Sequence, residues 1–137
     1  MFAEFEEKVH AWQESGESLT KDKLCDYYYE LNKQYFGKTK LIPEIKYEWA
    51  RIPHFFRPFY VYKYATGIIC AINFVNRILS NEKDAVKDYY KFLSAGCSDT
   101  PIQILRNSNC DLETEIPFNN CFEYLRNVLK DWKKIIK

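Results

Sequence analysis

The sequence predicts an all-α protein: an irregular bundle of about six helices around a buried central helix at about 58–79. Three observations carry this expectation. Apolar residues recur every three or four positions from the first segment to the last. No stretch alternates with period two, so strands are not expected. The run Ile68-Ile69-Cys70-Ala71-Ile72, followed by Phe74-Val75, is apolar on nearly every face, as suits a helix inside a packed body. With 137 residues, 47% hydrophobic and 18% aromatic, the chain has the size of one domain, 1–137, and the apolar surface for a real core.

Phe2, Phe5, Val9 and Trp12 share a stripe while Glu4, Glu6, Glu7 and Lys8 fill the other faces. That spacing gives an amphipathic helix from Phe2 to about Ser15, ended by Gly16. Thr20 is an N-cap for a second helix carrying Leu24, Tyr27, Tyr28, Leu31 and Tyr35, and Gly37 stops it. Lys38 to Lys46, polar and interrupted by Pro43, reads as a linker, and Tyr47 to His54 as a short helix or turn closed by Pro53. Arg57 precedes a proline and is biased away from helix, so Pro58 opens the central helix, which runs to about Leu79.

Ser80 or Asn81 caps the next helix, with Val86, Tyr89, Tyr90, Phe92 and Leu93 on its apolar face and Gly96 as terminator. Ser98-Asp99-Thr100-Pro101 is another cap followed by proline, opening a short helix through Leu105. Asn107 to Glu115 is a loop. Pro117 starts a last helix in which Phe118, Cys121, Phe122, Leu125, Leu129, Trp132 and Ile136 hold helical spacing.

The formal net charge is +1, from 20 basic and 19 acidic residues, which removes the usual electrostatic reason for a nucleic-acid or anionic-membrane partner. Five cysteines, an odd number without a CxxC pair, fit a reduced cytoplasmic setting better than a disulfide framework. A charged amphipathic stretch follows Met1, so no signal peptide is expected. The apolar run from Ile68 to Val75 is too short to span a bilayer. His10 and His54 stand without an HExxH pair or paired cysteines, so no metal site is expected on this chain alone.

Candidate chemistry gathers between Trp49 and Gly67, where aromatic rings crowd around Arg51, Pro53, His54, Arg57 and Pro58. His54 lies just before the expected helix N-terminus, where backbone N–H groups and the helix dipole favour negative charge. From pattern alone the favoured reading is a core histidine bonded to a carbonyl. Tyr60, Tyr62 and Tyr64 fall in the first two turns, with Tyr60 and Tyr64 on one face and Tyr62 roughly opposite. Such phenols are either interior packing groups or, beside a histidine at a cleft mouth, donors to a developing oxyanion.

The blocks Trp49-Ala-Arg-Ile-Pro-His54-Phe-Phe and Phe59-Tyr-Val-Tyr-Lys-Tyr-Ala-Thr-Gly67 resemble oligoendopeptidase F, of the thimet-oligopeptidase-like zinc peptidases. Met1-Phe-Ala-Glu-Phe-Glu6, Tyr28-Tyr-Glu-Leu-Asn-Lys-Gln-Tyr-Phe-Gly37 and Ser94-Ala-Gly-Cys-Ser-Asp-Thr-Pro101 resemble the segments that flank them in those enzymes. The resemblance covers almost the whole chain, in order. It implies the C-terminal part of a peptidase catalytic domain, acting on short peptides and inactive alone. In the family, the HExxH helix and the glutamate ligand precede the segment matched by Met1. Zinc and the catalytic portion that holds it are therefore implied as partners.

Taken residue by residue, the resemblance makes Tyr62 the tyrosine that stabilises the transition state. It makes His54 the histidine that contacts the peptide backbone near the scissile bond. Tyr60, Phe56, Arg57 and Gly96 are implied substrate-contact positions. Phe56 stands where related sequences often carry tyrosine, so a hydroxyl contact is lost there. Cys97 stands where the family loop usually has a second glycine, and Asn109 where glycine is common, without obvious consequence. The competing reading is a helical module that holds peptides or a partner protein without cutting them, since aromatic clusters with arginine also suit interfaces. A purely structural helical protein would leave His54, Arg57 and the tyrosines unassigned. A portion cut from a larger core is expected to expose an apolar patch and self-associate as a homo-oligomer.

Overall fold

The helical periodicities of the sequence become six α-helices and two 3-10 helices in the computed structural model, which describes residues 1–136. The α-helices are α1 (Phe2–Glu14), α2 (Lys21–Phe36), α3 (Tyr62–Leu79), α4 (Ala85–Ser94), α5 (Pro101–Asn107) and α6 (Ile116–Ile135). The 3-10 helices are Pro43–Arg51 and Pro53–Phe56. Among the described residues there is no strand, and the fold is all-α. The chain divides into two compact units, Met1–Tyr64 and Ala65–Lys137.

In Met1–Tyr64 the caps fall where the sequence places them. Thr20 Oγ1 accepts from the Lys23 amide at 3.3 Å, and Gly37, with φ 57°, closes α2 in a conformation that costs glycine least. Phe5, Tyr28 and Leu31 form the core, with Val9, Leu24, Tyr27, Trp49 and Phe55 packed against them. The Phe5 and Tyr28 rings meet edge to face at 5.1 Å, the arrangement their quadrupoles favour. The supposed linker ends early, because Pro43 opens the 3-10 helix instead of interrupting a coil. That helix is tied to α2 by two side chains. The Tyr28 hydroxyl donates to Glu48 at 2.9 Å, and Trp49 Nε1 donates to Cys25 Sγ at 3.4 Å. Burial, together with the Glu48 carboxylate, pushes the Tyr28 phenol above the usual tyrosine range.

In Ala65–Lys137, α3 buries one face: Ile69, Cys70, Asn73, Phe74 and Arg77. Ile68, Val75 and Leu79 are exposed, so the central helix is not enclosed on all sides as its composition suggested. It also begins at Tyr62 and not at Pro58, because Phe59 takes a left-handed conformation (φ 50°) that no helix continues through. Cys70 and Phe74 pack with Cys110 against Tyr89, Phe92, Leu105 and Leu112.

Arg77 closes this unit. Its guanidinium donates to Asp88 at 2.6 Å, to Glu82 at 2.8 Å and, at 3.4 Å each, to the carbonyls of Ser108 and Asn109. Asn109 turns the chain with φ 55° and donates its side-chain amide to Asp88 at 2.8 Å. Asparagine tolerates that conformation better than other side-chain-bearing residues, and here it gains a partner that glycine lacks. The position does have a consequence that sequence reading missed. The Asn109 amide and the Arg77 guanidinium hold the Asp88 carboxyl below the usual carboxylate range.

The start of α4 also differs from expectation: Asn81 and Asp84 both adopt positive φ, and Asp84, not Ser80 or Asn81, immediately precedes the helix. Thr100 Oγ1 caps α5 by accepting from the Gln103 amide at 3.4 Å. In α6, Asn120 donates to the buried Asn73 at 3.0 Å, whereas Leu125, Leu129 and Trp132 of its apolar stripe, and Ile136 just past its end, are exposed.

Candidate functional site

The tyrosine-bearing segment is built from the aromatic core upward. Ile52 is buried, and Phe55 packs against Phe2 at 5.7 Å and Phe5 at 5.2 Å, which fixes the short helix Pro53–Phe56 on the core. His54 lies on that helix, half-buried, and its neighbour Phe56 turns outward with 72% of its surface exposed. Arg57 is extended (φ −125°, ψ 125°), as a residue before proline should be, and is exposed. Phe59 then reverses the chain and delivers Tyr60 and Val61 to the start of α3.

His54, Tyr60 and Tyr64 come together. The His54 and Tyr60 rings stack at 5.3 Å and 28°, and Tyr64 stands edge-on to His54 at 5.4 Å and 89°. Tyr60 and Tyr64 are 6.1 Å apart, so they share a face even though Tyr60 precedes the helix. The Tyr64 hydroxyl and His54 Nε2 lie 2.9 Å apart. When Nε2 carries no proton the phenol donates to it, and when it does the phenol accepts. Lys63 places its ammonium 4.9 Å from the Tyr60 ring. This is a linked set of donors and acceptors around one imidazole.

Tyr62 lies in the first turn of α3 with 44% of its surface exposed. Gly96 belongs to the other unit, exposed just past α4 with φ 55°. An added Cβ would meet nothing within 4 Å there, so the backbone conformation and not space explains the glycine. Sequence reading placed Tyr64 beside Tyr60 and gave it no role; the structure makes it the hydrogen-bonding partner of His54. His10 stacks on Phe59 at 4.2 Å. Among the described residues, no group of three or more His, Cys, Asp or Glu side chains is placed to hold a metal ion. Nor is any helix there long and apolar enough to cross a membrane.

Comparison with known proteins adds the wider context. The profile of peptidase family M3 matches residues 1–124. The oligopeptidase PepF of Bacillus subtilis is 40% identical over 137 residues, a match that takes in 99% of this chain and 20% of the relative. The oligoendopeptidase F homolog of Borreliella burgdorferi is 40% identical over 138 residues, covering 100% of this chain and 23% of the relative.

Among solved structures, the oligoendopeptidase-F of Enterococcus faecium superposes with a TM-score of 0.93 at 35% identity, over 98% of this chain and 26% of that one. A putative peptidase from Chlamydophila abortus gives a TM-score of 0.85 at 40% identity, over 95% and 22%. The chain thus spans about a fifth to a quarter of the length of the relatives it matches. A match that runs nearly end to end in both sequence and fold assigns it: the chain belongs to peptidase family M3.

Proposed function

We propose that residues 1–137 act as the C-terminal part of the catalytic domain of a zinc-dependent oligoendopeptidase, binding short peptides and stabilising the transition state of their hydrolysis. The observation that carries this reading is the His54–Tyr60–Tyr64 set at the start of α3, in a chain that matches M3 peptidases almost throughout. Among the described residues no cluster of His, Cys, Asp or Glu side chains fits a zinc site. The chain's own groups bind and orient. His54 contacts the peptide backbone near the scissile bond, and Tyr64 fixes the imidazole through its hydroxyl. Tyr62 donates to the oxyanion that develops at the scissile carbonyl. Tyr60, Phe56, Arg57 and Gly96 contact the substrate. The partner is the polypeptide portion carrying HExxH, and the setting is the cytoplasm, in keeping with five free thiols.

The test is a chimera in which the matched segment of the Bacillus subtilis oligopeptidase is replaced by this chain, assayed on a short peptide beside the chain alone with added zinc. The chimera should cleave and the chain alone should not. Tyr62→Phe in the chimera should lower kcat by about a hundred- to a thousandfold, the worth of one oxyanion donor, roughly 2.7–4 kcal/mol. Zinc-dependent cleavage by the pure chain would overturn the reading, as would an undiminished Tyr62→Phe chimera. A folded chimera that binds the peptide without cutting it would favour the non-catalytic binding module.

A further inference from the structure

We propose that Glu6, on α1, is the positioning residue of the tyrosine-bearing segment. The side chain is 4% exposed, unusual for a glutamate, and no ion pair accounts for its burial among the described residues. Its two oxygens are instead committed to main chain 54 and 55 residues away. Oε1 accepts from the Tyr60 amide at 3.0 Å, and Oε2 from the Val61 amide at 3.3 Å. Those amides belong to the two residues immediately before α3, where the helix itself offers them no acceptor. The residue just before α3 is Val61, whose side chain has no acceptor to offer. Glu6 supplies from another helix what the glutamate of a capping box supplies locally, an acceptor for the amide just before the helix, and its charge suits the positive end of the helix dipole.

One turn further along α1, His10 stacks on Phe59 at 4.2 Å and 25°. Phe59 holds φ 50°, a conformation that aromatic residues seldom adopt. A single face of α1 therefore grips three successive residues: Phe59 by its ring, Tyr60 and Val61 by their amides. Tyr60 lies between the two gripped peptide bonds, Tyr62 follows directly after Val61, and Tyr64, one turn on, carries the bond to His54. The carboxylate thus sets the depth at which the phenols stand without itself touching a substrate.

The positioning role rests on the proposed peptidase reading, so the experiment has one arm that depends on that reading and one that does not. In the 137-residue chain, amide hydrogen exchange at Tyr60 and Val61 is measured in wild type, Glu6→Gln and Glu6→Ala, with circular dichroism as the check on folding. Exchange at both amides should accelerate in the order wild type, Gln, Ala. Unchanged protection in Glu6→Ala overturns the clamp. Should the alanine variant unfold, unchanged protection at both amides in Glu6→Gln overturns it instead, because a carboxamide offers one acceptor oxygen where two are used.

In the chimera, kcat should fall about tenfold for Glu6→Gln and about a hundredfold for Glu6→Ala, with KM within about twofold of wild type. A rise in KM at constant kcat, or no kinetic change despite accelerated exchange, refutes the positioning role. An inactive wild-type chimera removes the peptidase reading and the positioning role with it, while the exchange arm still decides whether Glu6 holds the segment.

Discussion

In Met1–Tyr64 and in Ala65–Lys137 alike, a buried carboxylate stands next to a non-glycine residue of positive φ, yet the two are satisfied by different partners. Glu6 takes the main-chain amides of Tyr60 and Val61, beside Phe59. Asp88 takes the guanidinium of Arg77 and the side-chain amide of Asn109. The first arrangement fixes the course of one short segment and leaves the aromatic core to Phe5, Tyr28 and Leu31. The second joins the end of α3, the start of α4 and the turn at Asn109, three places remote in sequence. The same functional group serves position in one unit and cohesion in the other, and its partners decide which.

The largest effect should come from breaking the cohesive one. Asp88→Ala leaves the Arg77 guanidinium buried with only Glu82 and two carbonyls. It should destabilise Ala65–Lys137 by about 3 kcal/mol in urea unfolding, the lower end for a broken buried pair. A loss under about 1 kcal/mol would place this pair with ordinary surface bridges and dissolve the contrast.

Acid should act in the same direction and less strongly, because protonation leaves the side chain in place. The Asp88 carboxyl titrates lower in the folded unit than in the unfolded chain. Its stabilisation is therefore complete above the unfolded carboxylate value and drains away as pH falls toward the folded one. Urea midpoints followed from neutral pH to about pH 3 should drop less steeply in Asp88→Asn than in wild type. Equal slopes would show that Asp88 contributes none of the acid sensitivity.

The smallest effect belongs to the aromatic core of the other unit. Tyr28→Phe removes the hydroxyl bonded to Glu48, but Glu48 keeps its ion pair with Arg51. The expected loss is about 1 kcal/mol in the same denaturation, and a loss as large as that for Asp88→Ala would erase the distinction between the units.

What the sequence made legible was local. The stripe of α1, the Thr20 and Thr100 caps and the stops at Gly37 and Gly96 all follow from residues within a turn or two of where they act. The start of α3 was not legible, because it depends on Glu6 and on the conformation of Phe59, neither of which leaves a pattern near Pro58. Helical spacing put Tyr60 and Tyr64 on one side correctly, but nothing in it paired Tyr64 with His54, whose contact is a matter of ring geometry. The value of Asn109 was equally hidden, since its partner Asp88 lies 21 residues earlier. Composition also over-read α3: an all-round apolar helix suggests enclosure, yet Ile68, Val75 and Leu79 face outward.

Phe59 has a practical corollary for anyone surveying tolerance to substitution. Replacing it by glycine relieves a backbone conformation that is unfavourable by roughly 1–2 kcal/mol for a residue with a Cβ, and at the same time deletes the ring that His10 covers. The two changes oppose each other, so a thermal scan would score the position as almost silent. Silence there would record a cancellation, and the residue that looks most replaceable would be one under tension from both sides.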